Sequence, residues 1–161
     1  MERTPDAGGC GPGERRQASG EVAVALAAVG NWMFSTAAWR RIMAASGLGL
    51  SLGDYTLLAQ VSQHAPVRLS VLAELMGVDK STLTPPAQRL EARGLIVRAP
   101  DPADARAQLV RVSPAGRRAV RTLGKARADA VAELMAGWET DEVERLAERL
   151  TAFASAIEEK G

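Results

Sequence analysis

Between Leu69 and Arg93 the apolar positions fall into two short helical registers separated by a turn. Val71, Leu72, Leu75 and Met76 recur at helical spacing in the first segment, and Leu83, Ala87 and Leu90 recur in the second. Ser70 stands where an N-cap hydroxyl would serve the first helix. Gly77 stands where a left-handed residue would end it, with Val78 turned inward at the corner. Asp79 is placed to cap the second helix, whose opposite face carries Ser81, Thr84, Pro85 and Gln88. Gly94 stops that helix. Beyond it, Leu95-Ile96-Val97-Arg98 and Gln108-Leu109-Val110-Arg111-Val112 predict two paired strands. In the polar tip between them, Pro100 and Pro102 oppose ladder pairing while Asp101 and Asp104 favour turns. Val67-Arg68, just after Ala65-Pro66, supplies a short third strand.

The flanks read as helices. From Glu21 to about Ser46 one long helix is predicted, with Ala25, Val29, Trp32, Thr36, Trp39 and Met43 in a stripe. Gly47 and Gly49 end it, and Ser51 is placed to cap a helix from Leu52 to about Gln63. Ser113-Pro114 carries the two residue types expected at a helix start and opens a helix reaching Trp138. Thr140 caps a last helix on which Val143, Leu146, Leu150, Phe153 and Ile157 form a narrow apolar stripe. Such a stripe on a terminal helix requires a second surface to cover it. Residues 1–20, rich in Gly, Pro and charge, predict a flexible tail. Cys10 within it reads as an inert, exposed thiol. The fold class is therefore mainly α with a small β-hairpin.

Composition narrows the function. A chain of 161 residues can bury one core and add an oligomerisation module. A net charge of +1 says little, since nucleic-acid binding needs positive charge on one face rather than overall. One cysteine excludes a disulfide framework and the usual multi-Cys zinc sites. His64, the single histidine, has no second ligand at metal spacing. No apolar run approaches the ~20 residues needed to span a bilayer, and the opening segment lacks the apolar core of a signal peptide. A cytoplasmic location with no membrane partner, cofactor or metal is expected. Without a nucleophile elbow, phosphate loop or paired acid and base, the sequence does not read as an enzyme.

Helix, turn, helix and hairpin wing, in that order, resemble the MarR family of winged helix-turn-helix transcriptional regulators. The resemblance rests on Leu90-Glu91-Ala92-Arg93-Gly94-Leu95-Ile96, on the Asp-Pro-x-Asp-x-Arg pattern from Asp101 to Arg106, and on Val112-Ser113-Pro114-Ala115-Gly116. It implies one domain over residues 21–161: a winged helix-turn-helix lobe over 51–113 and a helical dimerisation lobe built from 21–50 and 114–161. It further implies a homodimer, usually a repressor, that reads an inverted-repeat operator in double-stranded DNA. Ser81, Thr84, Pro85 and Gln88 are the candidates for base edges, with Gln88 suited to bidentate pairing with adenine and the Pro85 ring to a thymine methyl. Lys80, Thr82 and Arg89 are candidates for phosphates. In the wing, the resemblance assigns Arg106 to the minor groove or its phosphates and Asp104 to holding that arginine; Arg98 and Arg111 add candidate backbone contacts. It also implies a small aromatic or phenolic effector, for which Trp32, Met33, Trp39, Met43 and Tyr55 are candidate lining residues that core packing explains equally well.

Pro85-Pro86 departs from the commonest pattern, because it removes two donors from inside the recognition helix. Either the helix starts near Lys80 and tolerates a bend, or Thr84 caps a shorter helix that begins at Pro85. The Thr-Pro pair resembles the organic-hydroperoxide-sensing branch of the family. That branch uses a cysteine early in its first helix, where Val22, Ala23, Val24 and Ala25 stand here, so its mechanism is not carried over. The alternative function is a winged-helix interaction module that does not bind DNA by itself.

Overall fold

The computed structural model describes residues 11–160. Their order is α1 (Pro12–Met33), α2 (Thr36–Ser46), α3 (Leu52–His64), β1 (Val67–Arg68), α4 (Leu69–Leu75), α5 (Lys80–Ala92), β2 (Ile96–Asp101), β3 (Asp104–Val112), α6 (Pro114–Leu134) and α7 (Thr140–Glu158). The chain divides into two units after Arg41, within α2.

In the first unit the predicted boundaries move. α1 begins at Pro12 rather than Glu21, so residues 12–20 of the expected tail are helical. Pro12 occupies the first helical position, where its missing N–H costs nothing, and the Gly11 N–H donates to Glu14 Oε2 at 2.9 Å. Cys10 lies outside the described residues. The single long helix expected over 21–46 is instead broken at Phe34 and Ser35. There Ser35 Oγ accepts the Ala38 N–H at 3.1 Å and acts as the cap of α2.

The second unit has one core to which most elements contribute: Leu57, Leu58 and Val61 from α3, Leu72 from α4, Leu90 from α5, Ile96 from β2, Val110 from β3 and Leu123 from α6 are fully buried. α3 starts as predicted on Ser51, whose hydroxyl accepts the Asp54 N–H at 3.1 Å while the Asp54 carboxylate accepts the Ser51 N–H at 3.3 Å. α4 buries Leu69, Leu72 and Ala73, not the predicted Val71 and Leu75, which are exposed. It begins at Leu69, so Arg68 rather than Ser70 occupies the N-cap position.

Two glycines set the turns on either side of α5. Gly77, at φ 63°, ends α4 with the Val78 N–H donating to the Ala73 carbonyl at 3.0 Å. Val78 itself stays exposed instead of pinning the corner. Gly94, at φ 64°, ends α5 in the same way, with the Leu95 N–H donating to the Leu90 carbonyl at 2.9 Å. Each turn thereby satisfies carbonyls that a helix end leaves open.

α5 runs unbroken from Lys80 through Pro85 and Pro86, which is the first of the two alternatives above. Lacking N–H groups, these prolines leave the Ser81 and Thr82 carbonyls without their usual i+4 donors. Packing offsets the loss. Pro86 is buried, its ring facing Gly53 at the start of α3, and it completes a stripe with Leu83, Ala87 and Leu90.

The sheet order is β1-β3-β2, all antiparallel, with Val67 opposite Val110 and Ile96 opposite Val112. The wing is longer than predicted, since pairing continues through Pro100 opposite Gln108 to Asp101 opposite Asp104, with a bulge between Pro100 and Asp101. β2 is an edge strand, the position where a sheet tolerates a proline. The wing closes onto the helix that follows it. The Ser113 hydroxyl donates to the Gly94 carbonyl at 2.6 Å and accepts the Gly116 N–H at 2.9 Å, while the Ser113 N–H donates to the Leu95 carbonyl at 3.0 Å. α6 ends at Leu134, short of Trp138, and α7 is capped by Glu139 rather than Thr140.

A side chain at position 116 has no room, because a Cβ there would lie 2.0 Å from the Leu95 carbonyl oxygen. Gly116→Ala is expected to destabilise the second unit by about 1–3 kcal/mol or more through forced backbone movement, as read by denaturant unfolding.

Candidate nucleic-acid interface

The buried stripe of α5 decides what its other face presents. With Leu83, Pro86, Ala87 and Leu90 inward, Ser81, Thr82, Pro85 and Gln88 are exposed and Thr84 is half-buried. The Thr84 hydroxyl donates back to the Lys80 carbonyl at 3.0 Å, so its methyl and the Pro85 ring give this face an apolar spot between polar groups. No acid stands on α5 between Lys80 and Arg89.

Arg89 is committed elsewhere. Its Nε and Nη2 reach Asp54 Oδ1 at 2.9 and 2.8 Å, which ties the recognition helix to the capped start of α3. Arg89 thus has a structural role that the phosphate expectation did not include, and half of its side chain remains exposed. Asp54 is buried, and burial alone would raise its pKa; hydrogen bonds from Arg89 and Ser51 and the Arg89 charge outweigh that and hold it below its ordinary value of 3.8.

In the wing the predicted pairing is redirected. Asp104 does not hold the Arg106 guanidinium; its Oδ1 accepts the Arg106 backbone N–H at 3.0 Å, and its Oδ2 lies 3.5 Å from Arg68 Nη1. Arg68 also binds Asp101, with Nε and Nη2 at 2.6 and 2.5 Å from Oδ2. The Ala103 N–H and Arg68 together hold the Asp101 carboxyl below the usual carboxylate range. Arg98 pairs with Glu91 at 2.9 Å, and Arg111 is exposed on β3. Among the described residues the Arg106 and Lys80 cations make no ion pair.

These groups meet in one open groove of about 290 Å³ between the wing and the start of α5, lined by Arg68, Lys80, Arg98, Arg106 and Gln108 among others. Four cations around a polar hollow, two of them unpaired, suit an anionic backbone.

The expected effector residues are more scattered. Trp32, Met33 and Trp39 are half-buried in the first unit, whereas Met43 is buried in the second. Tyr55 is half-buried on α3, where the Arg127 guanidinium of α6 donates to its hydroxyl and lies 5.6 Å from its ring centre. Sequence reasoning missed Arg68, which lines the groove, and Asp54, the buried partner of Arg89. Their partners lie 33 and 35 residues away, a separation that leaves no local signal.

A hairpin wing joined to a helix-turn-helix through a three-stranded sheet, with a cationic groove beside it, defines a winged helix-turn-helix protein built to meet nucleic acid. The sequence model of the MarR family matches residues 50–107. The uncharacterized HTH-type transcriptional regulator YxaD of Bacillus subtilis is 34% identical over 108 residues, 67% of this chain and 76% of that protein. Among solved structures, RV1404 from Mycobacterium tuberculosis is similar at a TM-score of 0.68 and 26% identity, covering 86% of this chain and 93% of that one. A MarR-family transcriptional regulator from Rhodococcus sp. RHA1 is similar at a TM-score of 0.61 and 26% identity, covering 84% and 94% respectively. The chain belongs to the MarR family, and it is a DNA-binding transcriptional regulator of that type. No single helix among the described residues is long and apolar enough to cross a membrane.

Because the Asp54 pKa is lowered on folding, its contribution to stability is fully present above its unfolded value near pH 4 and is lost as pH falls through the folded value. Asp54→Ala is expected to cost about 1–3 kcal/mol at neutral pH, and the difference from wild type should shrink on acidification below pH ~4. Urea unfolding across that range measures both.

Proposed function

We propose that two copies of this chain occupy an inverted-repeat operator, each placing α5 in a major groove and its wing at the neighbouring minor groove, and that occupancy represses transcription. The observation that carries this reading is the acid-free exposed face of α5 beside the unpaired Lys80 and Arg106. Gln88 and Pro85 supply base-edge chemistry there, and Lys80, Thr82 and Arg106 supply contacts to phosphates or a narrow groove. Arg89 and Arg98 act through their carboxylate partners rather than as free cations.

The dimer is supported by α7, none of whose residues is buried. Leu150, Phe153 and Ile157 are 48, 44 and 59% exposed on one stripe, and Val22 and Val29 of α1 are also exposed. A partner that covers these stripes would hold two recognition helices about one DNA turn apart, roughly 34–36 Å. A small aromatic effector has thinner support, since Met43 is a core residue and Tyr55 is already engaged by Arg127. The unbroken α5 favours DNA reading over the interaction-module alternative.

The test is fluorescence anisotropy on duplexes selected from random DNA. Wild type is expected to bind a palindromic site with a linear log–log salt dependence. Arg106→Ala should weaken binding and reduce the salt slope by about 1, while Gln88→Ala should relax preference at one base pair per half-site by about 1–3 kcal/mol. Leu150→Glu with Phe153→Glu should yield a monomer by sedimentation and lose the palindromic preference. Equal binding to all duplexes, or none at low salt, would contradict the proposal.

A further inference from the structure

The wing tip carries two carboxylates, Asp101 and Asp104, on the loop that would approach a polyanion. Unanswered, they would repel it. Arg68 answers both, through Nε and Nη2 at 2.6 and 2.5 Å from Asp101 and Nη1 at 3.5 Å from Asp104. Asp104 in turn accepts the Arg106 backbone N–H at 3.0 Å. A continuous chain of polar contacts therefore runs from the Arg68 guanidinium through the Asp104 carboxylate to the backbone of Arg106. Arg68 belongs to β1 and directly precedes α4, so the same side chain joins the wing tip to the base of the helix-turn-helix.

On the DNA-binding reading above, we infer that Arg68 is a positioning residue for the wing: it neutralises the tip carboxylates and fixes the tip so that Arg106 is presented to the DNA backbone or minor groove. With all three of its guanidinium nitrogens committed to carboxylates, Arg68 is not itself a phosphate ligand, even though it lines the same groove as Arg106. The geometry reverses the simpler arrangement in which a wing aspartate grips the wing arginine. Here the aspartate is gripped by an arginine from outside the wing, and Arg106 is left free.

The experiment measures anisotropy on the selected duplex as a function of salt for wild type, Arg68→Ala, Arg106→Ala and the double variant, with thermal melting to establish that each is folded. Arg68→Ala is expected to weaken binding about tenfold and to reduce the salt slope by about 1, as Arg106→Ala does. The double variant should bind within about twofold of either single one, because both remove the same contact. Adding Asp101→Asn to Arg68→Ala should recover part of the loss by removing an unanswered negative charge, and Gln88→Ala should remain additive with Arg68→Ala. If Arg68→Ala melts before it can be assayed, Arg68→Lys keeps the charge without the fork and should give the same non-additivity with Arg106→Ala at smaller amplitude. Losses that multiply in the double variant would make Arg68 an independent contact and overturn the inference while leaving DNA binding intact. Wild-type affinity in Arg68→Ala would overturn it as well. Failure of wild type to bind any selected duplex would overturn the DNA-binding reading and this inference with it.

Discussion

A carboxylate shielded from water must be answered by a partner, and among the described residues Asp54 is the one charged side chain so buried. Its partner, Arg89, comes from the recognition helix. The same carboxylate closes the N-terminus of α3 through Ser51, so one group fixes both the start of a core helix and the rotation of α5 against it. The apolar stripe of α5 constrains that rotation too, but a stripe of four side chains can slide or roll by small amounts. The Arg89–Asp54 pair, with two guanidinium nitrogens on one carboxylate oxygen, adds a charged tie to that packing. The exposed set Ser81, Thr82, Pro85 and Gln88 follows from the stripe and the ion pair together.

The wing is governed by the same logic at the surface. Its strands are held to the helical body by β1 on one side and by the Ser113–Gly116 closure beneath, where a glycine is required for space. Its tip is held by the Arg68 clasp. Ion pairs across solvent are individually weak, commonly below about 1 kcal/mol, so their role here is orientation more than stability. The consequence is a division of labour among cations: Arg68, Arg89 and Arg98 are engaged by Asp101, Asp54 and Glu91, and Lys80 and Arg106 are left available. Counting basic residues would not distinguish the two groups.

What could be read from the sequence divides along the range of the interaction. Ser51, Gly77, Gly94 and Ser113-Pro114 act through bonds to residues a few positions away, and each stands where its local chemistry placed it. The family motifs lie in the same short-range stretches, which is why the fold class was legible. On α4 the expected Leu72 is buried, but its inward neighbours are Leu69 and Ala73 rather than Val71 and Leu75, because seven residues make only two turns and both sets fit that spacing. The break before α2 carries neither Gly nor Pro, only a serine that caps. The wing prolines look like breakers until the strand that holds Pro100 is known to be an edge. Arg68 and Arg89 were out of reach for a different reason: which arginine meets which carboxylate is decided by tertiary approach across more than 30 residues.

Footprinting wild-type protein on its selected operator, with dimethyl sulfate for the major groove and hydroxyl radicals for the minor groove, tests the central claim most directly. The account predicts protected guanine N7 positions in two half-sites about one helical turn apart, with minor-groove protection beside each where the wing lies. Major-groove protection without the adjoining minor-groove protection would contradict the role given to the wing and to Arg106. A uniform footprint with no half-site spacing would contradict the claim that α5, fixed by Asp54 and Arg89, reads sequence at all.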